Sequence, residues 1–129
     1  MISLEVNGQE LTFTHGAGTA GEVAAMTDAS APAVLRIAGA MGPKGEVLAS
    51  DIVLEIRGYD PSRTEYADAE ISGSYRLVSG DFVNEYAFPA TGFKATIRRN
   101  GDRLEGSFSG LLVEGATPVG GSFVARAST

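Results

Sequence analysis

The 129-residue chain is predicted to fold as a single all-β domain over residues 1–129, an antiparallel β-sandwich or flattened barrel of about eight or nine strands built from hairpins. Three observations carry this expectation. Short apolar–polar alternations recur along the chain, clusters of Gly, Asn, Asp and Pro separate them, and no helical period is sustained. A hydrophobic content of 43% is enough to fill one core, and 17 glycines without a period of three do not make a collagen.

The elements follow in order. Val6-Asn7-Gly8-Gln9 carries the Asn-Gly of a type I′ turn, and pairing Val6 with Gln9 sets Leu4 opposite Leu11 and Ile2 opposite Phe13, so that both strands turn apolar residues to one side. Thr19-Ala20-Gly21-Glu22 has the form of a helix capping box, but a lone short helix has little intrinsic stability, so a strand from Glu22 to Asp28 is expected. Strands are also expected from Ala33 to Ala38, with Leu35 and Ile37 inward, and from Ser50 to Arg57, with Ile52, Leu54 and Ile56 inward. A turn at Ser79-Gly80 pairs Val78 with Asp81, and therefore Gly73 with Tyr86. A turn at Asn100-Gly101 pairs Ile97 with Leu104, Ala95 with Gly106 and Phe93 with Phe108. The last strand is Gly121 to Arg126, and loops are expected at 39–45, 60–68 and 114–119.

Composition excludes several chemistries. With no cysteine and a single histidine, His15, there is no disulfide framework, thiolate zinc site or multi-histidine metal centre. Acidic residues outnumber basic ones 16 to 10, for a net charge of −6, the wrong sign for a phosphate backbone; nucleic acid is not an expected partner. No run is long enough for a transmembrane segment, and Met1-Ile2-Ser3-Leu4-Glu5 lacks the basic start and apolar stretch of a signal peptide. Gly16-Ala17-Gly18-Thr19-Ala20-Gly21 fits a dinucleotide-binding fingerprint, but its context is hairpins rather than βαβ units, so it reads as a glycine-rich connection. Gly106-Ser107-Phe108-Ser109-Gly110 carries phenylalanine where a nucleophile elbow needs serine, and no second histidine stands by as a base. No catalytic residue emerges.

The densest polar segment runs from Asp60 to Glu70. Tyr59 and Tyr66 flank its acidic loop as the expected exposed rings, and with Asp60, Glu65 and Asp68 they form the candidate ligand-binding set. No cofactor is required by the sequence. Calcium is possible at Asp60, Asp68 and Glu70, because loop carboxylates and backbone carbonyls can supply its oxygens, although Arg63 could pair with Asp60 or Glu65.

Three Gly-Ser-aromatic signatures recur: Gly73-Ser74-Tyr75, Gly106-Ser107-Phe108 and Gly121-Ser122-Phe123. Together with the opening Ile2-Ser3-Leu4-Glu5-Val6-Asn7-Gly8, this order resembles a group of uncharacterised bacterial envelope domains, small antiparallel β-sandwiches often found behind lipoprotein signals. The chain departs from that group in showing no leader and no lipid-bearing cysteine. The resemblance implies an extracytoplasmic location, in the periplasm or at the cell surface, and brings no catalytic residues. The expected function is a non-enzymatic, macromolecule-binding or structural domain of an envelope or extracellular assembly, with a protein or glycan partner. Two alternatives remain: a calcium- or small-ligand-binding module at Asp60–Glu70, and an acidic immunity or inhibitor protein covering a basic surface. Edge strands of an open sandwich can also pair with other chains.

Overall fold

The computed structural model describes residues 1–6, 8–14, 16, 23–28, 33–41, 50–79, 82–88, 92–111 and 118–128. His15, most of the glycine-rich connection, Glu22 and the turn residues Asn7, Gly80 and Asp81 lie outside the described residues.

The fold is all-β. Its strands are β1 (Ile2–Val6), β2 (Gln9–Phe13), β3 (Ala24–Asp28), β4 (Val34–Met41), β5 (Ser50–Arg57), β6 (Glu65–Ala67), β7 (Ile71–Ser79), β8 (Phe82–Ala87), β9 (Lys94–Asn100), β10 (Arg103–Leu111) and β11 (Pro118–Ser128). One layer runs β6-β9-β10-β11-β1-β2 and the other β3-β4-β5-β7-β8. Strand β11 belongs to both. Val119–Phe123 pairs with β1, and farther along Arg126–Ser128 pairs with Ala24–Met26 in a parallel register, while the other pairings among the described residues are antiparallel. The strand count exceeds the expected eight or nine partly because a short strand, β6, forms inside the 60–68 stretch read as a loop. Likewise β4 runs on to Met41 and β11 starts at Pro118, each claiming residues read as loop.

The core lies between the layers. Ile2, Leu4, Phe13, Leu35, Ile37, Ile52, Leu54 and Ile56 are each at most 1% exposed, in agreement with the alternation. Phe88, Phe93 and Phe108 pack face to face or tilted at one end of it, with centroids 5.0–6.5 Å apart.

The first hairpin has the predicted register: Val6 faces Gln9, Leu4 faces Leu11 and Ile2 faces Phe13. The other two are shifted by two residues. Asn100 pairs with Arg103, so Leu104 faces Arg99, Gly106 faces Ile97 and Phe108 faces Ala95. Ser79 pairs with Phe82, so Tyr86 faces Tyr75 rather than Gly73. In both hairpins the two residues between the paired positions are Gly-Asp, not Asn-Gly or Ser-Gly. Gly101 has φ +64° and Asp102 has no positive φ, which suits a turn with glycine at its first central position. A shift of two leaves every side chain on its predicted face, whereas a shift of one would have inverted the sheet.

The Gly-Ser-aromatic signatures now have a physical account. Two of them pair with each other: Gly106 faces Phe123, Ser107 faces Ser122 and Phe108 faces Gly121. Each ring lies over the opposing glycine, so a Cβ on Gly121 would sit 2.9 Å from Phe108 Cζ, and one on Gly106 would sit 2.7 Å from Phe123 Cζ. Gly73 has a backbone reason. Its φ is +149°, and a Cβ there would collide with the carbonyl oxygen of Val53 on β5.

Candidate functional site

The Asp60–Glu70 segment is built as a brace. Gly58 and Tyr59 N–H groups both donate to Ala33 O, at 2.7 and 3.3 Å, which draws Tyr59 inward. Tyr66, the middle residue of β6, faces the small Ala95 and turns into the core. Both rings are buried, at 8% and 2% exposure, and they stack with centroids 6.3 Å apart. This corrects the expectation that they form an exposed platform. The reason is β6 itself, since a strand at that point sends alternate side chains to the core. Burial, then the neighbouring Tyr66, raises the Tyr59 hydroxyl above its ordinary pKa.

The Tyr66 hydroxyl organises the turn before it. It accepts from Asp60 N–H at 3.0 Å and lies 3.1 Å from Asp60 O and 3.2 Å from Arg63 O, either of which takes its proton. Arg63 covers the ring face with its guanidinium 4.5 Å from the centroid, while its two terminal nitrogens clasp the Glu70 carboxylate, Nη2 to Oε1 being 2.7 Å. Glu70 Oε1 also accepts from Ala67 N–H at 3.2 Å, closing the 3₁₀ turn Asp68–Glu70.

The predicted carboxylates therefore have separate employments. Asp60 Oδ1 accepts from the Ser62 N–H at 2.9 Å and the Ser62 hydroxyl at 2.8 Å, an Asx turn at the surface. Asp68 takes a left-handed φ of +56° and uses Oδ1 to accept from Gly92 N–H at 2.8 Å, while its own N–H donates to Phe93 O at 2.9 Å. Glu65 is exposed beside Lys94 and Thr96, in an open depression of about 610 Å³ over β6 and β9. Asp60, Asp68 and Glu70 are not brought together, and among the described residues no three acidic or histidine groups converge as a metal site.

The Ser62 N–H, followed by its hydroxyl, holds the Asp60 carboxyl below its ordinary pKa; Arg63, followed by the Ala67 N–H, does the same for Glu70. Groups lowered on folding add stability that is complete above the ordinary carboxylate pKa of about 4 and is lost as the pH falls through the lowered folded value. Acid is therefore expected to loosen the Asp60–Glu70 brace. A melting-temperature profile from neutral to acid pH should be flatter at its acid end for Glu70→Gln than for wild type, and an identical slope would remove Glu70 from this role.

The structure draws attention instead to β8, at the free edge of the second layer. All six of its residues are exposed, including Phe82 at 75%, Val83 at 49% and Tyr86 at 38%. Tyr86 stacks on the buried Tyr75 across the β7–β8 pair, centroids 4.9 Å apart, so the aromatic face of the core continues outward on this strand. The signal was present in the sequence. Phe82-Val83 and Tyr86-Ala87 put apolar residues on both faces of one strand, a pattern of burial on both sides or of an edge awaiting a partner.

The direction of the free backbone groups follows from one hydrogen bond. Phe88 N–H donates to Gly73 O at 2.9 Å, directly opposite it in the register that pairs Ala87 with Ser74. Bonded pairs alternate along an antiparallel ladder, so Tyr86, Asn84 and Phe82 turn their main-chain groups to β7, while Ala87, Glu85 and Val83 turn theirs outward. The other free edges are defended differently. Strand β6 has three residues, and β2 is short and carries Glu10. Strand β8 carries neither lysine nor proline, and Glu85 is its one charged residue. Comparison with protein-family models, with curated proteins and with solved structures gives no match, so the functional reading rests on the chain's own residues.

Proposed function

We propose that the chain is a non-enzymatic protein-binding or structural domain of a bacterial envelope or extracellular assembly, and that it assembles by strand addition along β8. The observation that carries this is the exposed, apolar β8 edge with an outward row of main-chain donors and acceptors at Val83, Glu85 and Ala87. Main-chain bonds supply affinity in such pairing and alternate side chains supply selectivity. The bacterial and extracytoplasmic placement rests on the resemblance carried by the Gly-Ser-aromatic strands. Among the described residues no helix is long and apolar enough to cross a membrane.

The test is affinity capture from bacterial envelope extract with wild-type and Val83→Pro baits. Proline at 83 removes an outward N–H and leaves the β7–β8 bonds in place, because edge strands tolerate proline where the N–H faces solvent. Proteins held by the wild type should be lost from Val83→Pro. Equal retention by both baits would show that β8 is not the assembling edge.

A further inference from the structure

We infer that the β8 edge is completed by a second copy of this chain, in an antiparallel β8–β8 pair whose two-fold axis passes between the two Asn84 residues. This rests on the reading of β8 as the assembling edge and names its occupant. A two-fold axis perpendicular to a sheet pairs each residue with one of the same parity, because residues opposite each other share a face.

With the axis at Asn84, Phe82 of each copy faces Tyr86 of the other, and Val83 faces Glu85. Two consequences favour this register. The stacked row Tyr75–Tyr86 is extended by the partner's Phe82, and by symmetry the same happens on the other side, so the exposed rings of both copies are covered. The hydrogen-bonded pairs are Val83 with Glu85 of the other copy, both of which direct their main-chain groups outward. With the axis at Glu85, two carboxylates would stand directly opposite each other, an unfavourable cross-strand pair, and Tyr86 would face Asn84 instead of a ring. Charge and aromatic placement thus both favour the Asn84 register over the one centred on Glu85.

The net charge gives the interaction a recognisable salt dependence. Two copies of charge −6 repel, and screening reduces that repulsion, so self-association should strengthen as salt is raised. A basic partner held by electrostatic complementarity would be released instead.

The chain has no native cysteine, so introduced thiols report the register cleanly. The Asn84 pair is non-hydrogen-bonded, with Cα atoms expected about 4.5 Å apart, within the span of a disulfide. Mild oxidation should convert Asn84→Cys to a covalent dimer at least several-fold faster than Glu85→Cys. Sedimentation equilibrium of the unmodified chain should show the mass rising from 13.3 kDa toward twice that value with concentration, more readily at high salt. Val83→Pro should stay monomeric. A wild-type chain that remains monomeric up to near-millimolar concentration, or Glu85→Cys cross-linking as fast as Asn84→Cys, overturns the proposal. A monomeric wild type whose captured partners still depend on Val83 would overturn self-pairing and leave strand addition standing. A dimer that Val83→Pro leaves intact would overturn both readings, because a surface other than the β8 edge would then hold the two copies.

Discussion

Gly121→Ala is expected to destabilise the domain by about 3 kcal/mol or more, a fall of roughly 10 °C in melting temperature. The new methyl group meets two obstacles of different kinds. One is the Phe108 ring, whose Cζ would lie 2.9 Å away; the other is the carbonyl oxygen of Ser3 on the neighbouring strand, which is backbone and cannot rotate aside. Relieving the first does not relieve the second. Phe108→Ala removes a ring packed against Phe88 and Phe93, so the double variant Gly121→Ala/Phe108→Ala should be less stable than either single variant. Ser122→Ala, one residue along and pointing to solvent, should change stability by less than about 0.5 kcal/mol. A Gly121→Ala protein as stable as Ser122→Ala would show that β1 and β11 approach less closely than described.

The same pair of strands shows what the sequence could and could not reveal. Alternation placed Ile97, Leu104 and Phe108 inward, and the structure buries all three, because facing depends only on parity. The pairing partners of these residues depend on which two residues make the turn, and there the sequence offered competing dipeptides, Asn100-Gly101 and Gly101-Asp102, sharing one glycine. Local turn preference favours Asn100-Gly101, whereas the fold uses Gly101-Asp102. The mutual pairing of Gly106-Ser107-Phe108 with Gly121-Ser122-Phe123 was likewise hidden, since it requires knowing that β10 and β11 are neighbours. So was the parallel contact of β11 with β3, which local patterns do not encode at all.

The exposure of Tyr59 and Tyr66 was not legible for a related reason. Polar density and two flanking tyrosines resemble a binding loop, yet the same residues are what a surface turn needs to satisfy its own main chain. Arg63, weighed in the sequence as a competitor for Asp60 or Glu65, takes Glu70 instead. The β8 edge is less legible, because Phe82-Val83 can place only one of its side chains in the core and local pattern does not tell what covers the other. Exposure of an edge is a property of what the rest of the fold leaves uncovered.

Tyr66 separates the brace from a binding role. Tyr66→Ala is expected to cost about 3–5 kcal/mol, since it empties a buried site stacked between Tyr59 and the Arg63 guanidinium and releases the turn that the hydroxyl holds. Tyr66→Phe keeps the ring and deletes only the hydroxyl, leaving the part-buried Asp60 N–H without its acceptor, at a cost of about 1–2 kcal/mol. Faster proteolysis within 60–64 should accompany both losses, because the contacts of Tyr66 with Asp60 and Arg63 tie that turn down. Neither substitution touches β8, so the Val83-dependent capture of partners and the Asn84 cross-link should survive in Tyr66→Phe. A Tyr66→Phe protein of wild-type stability that no longer retained a partner would return the binding role to this segment, because an effect on binding without one on stability cannot come from a brace.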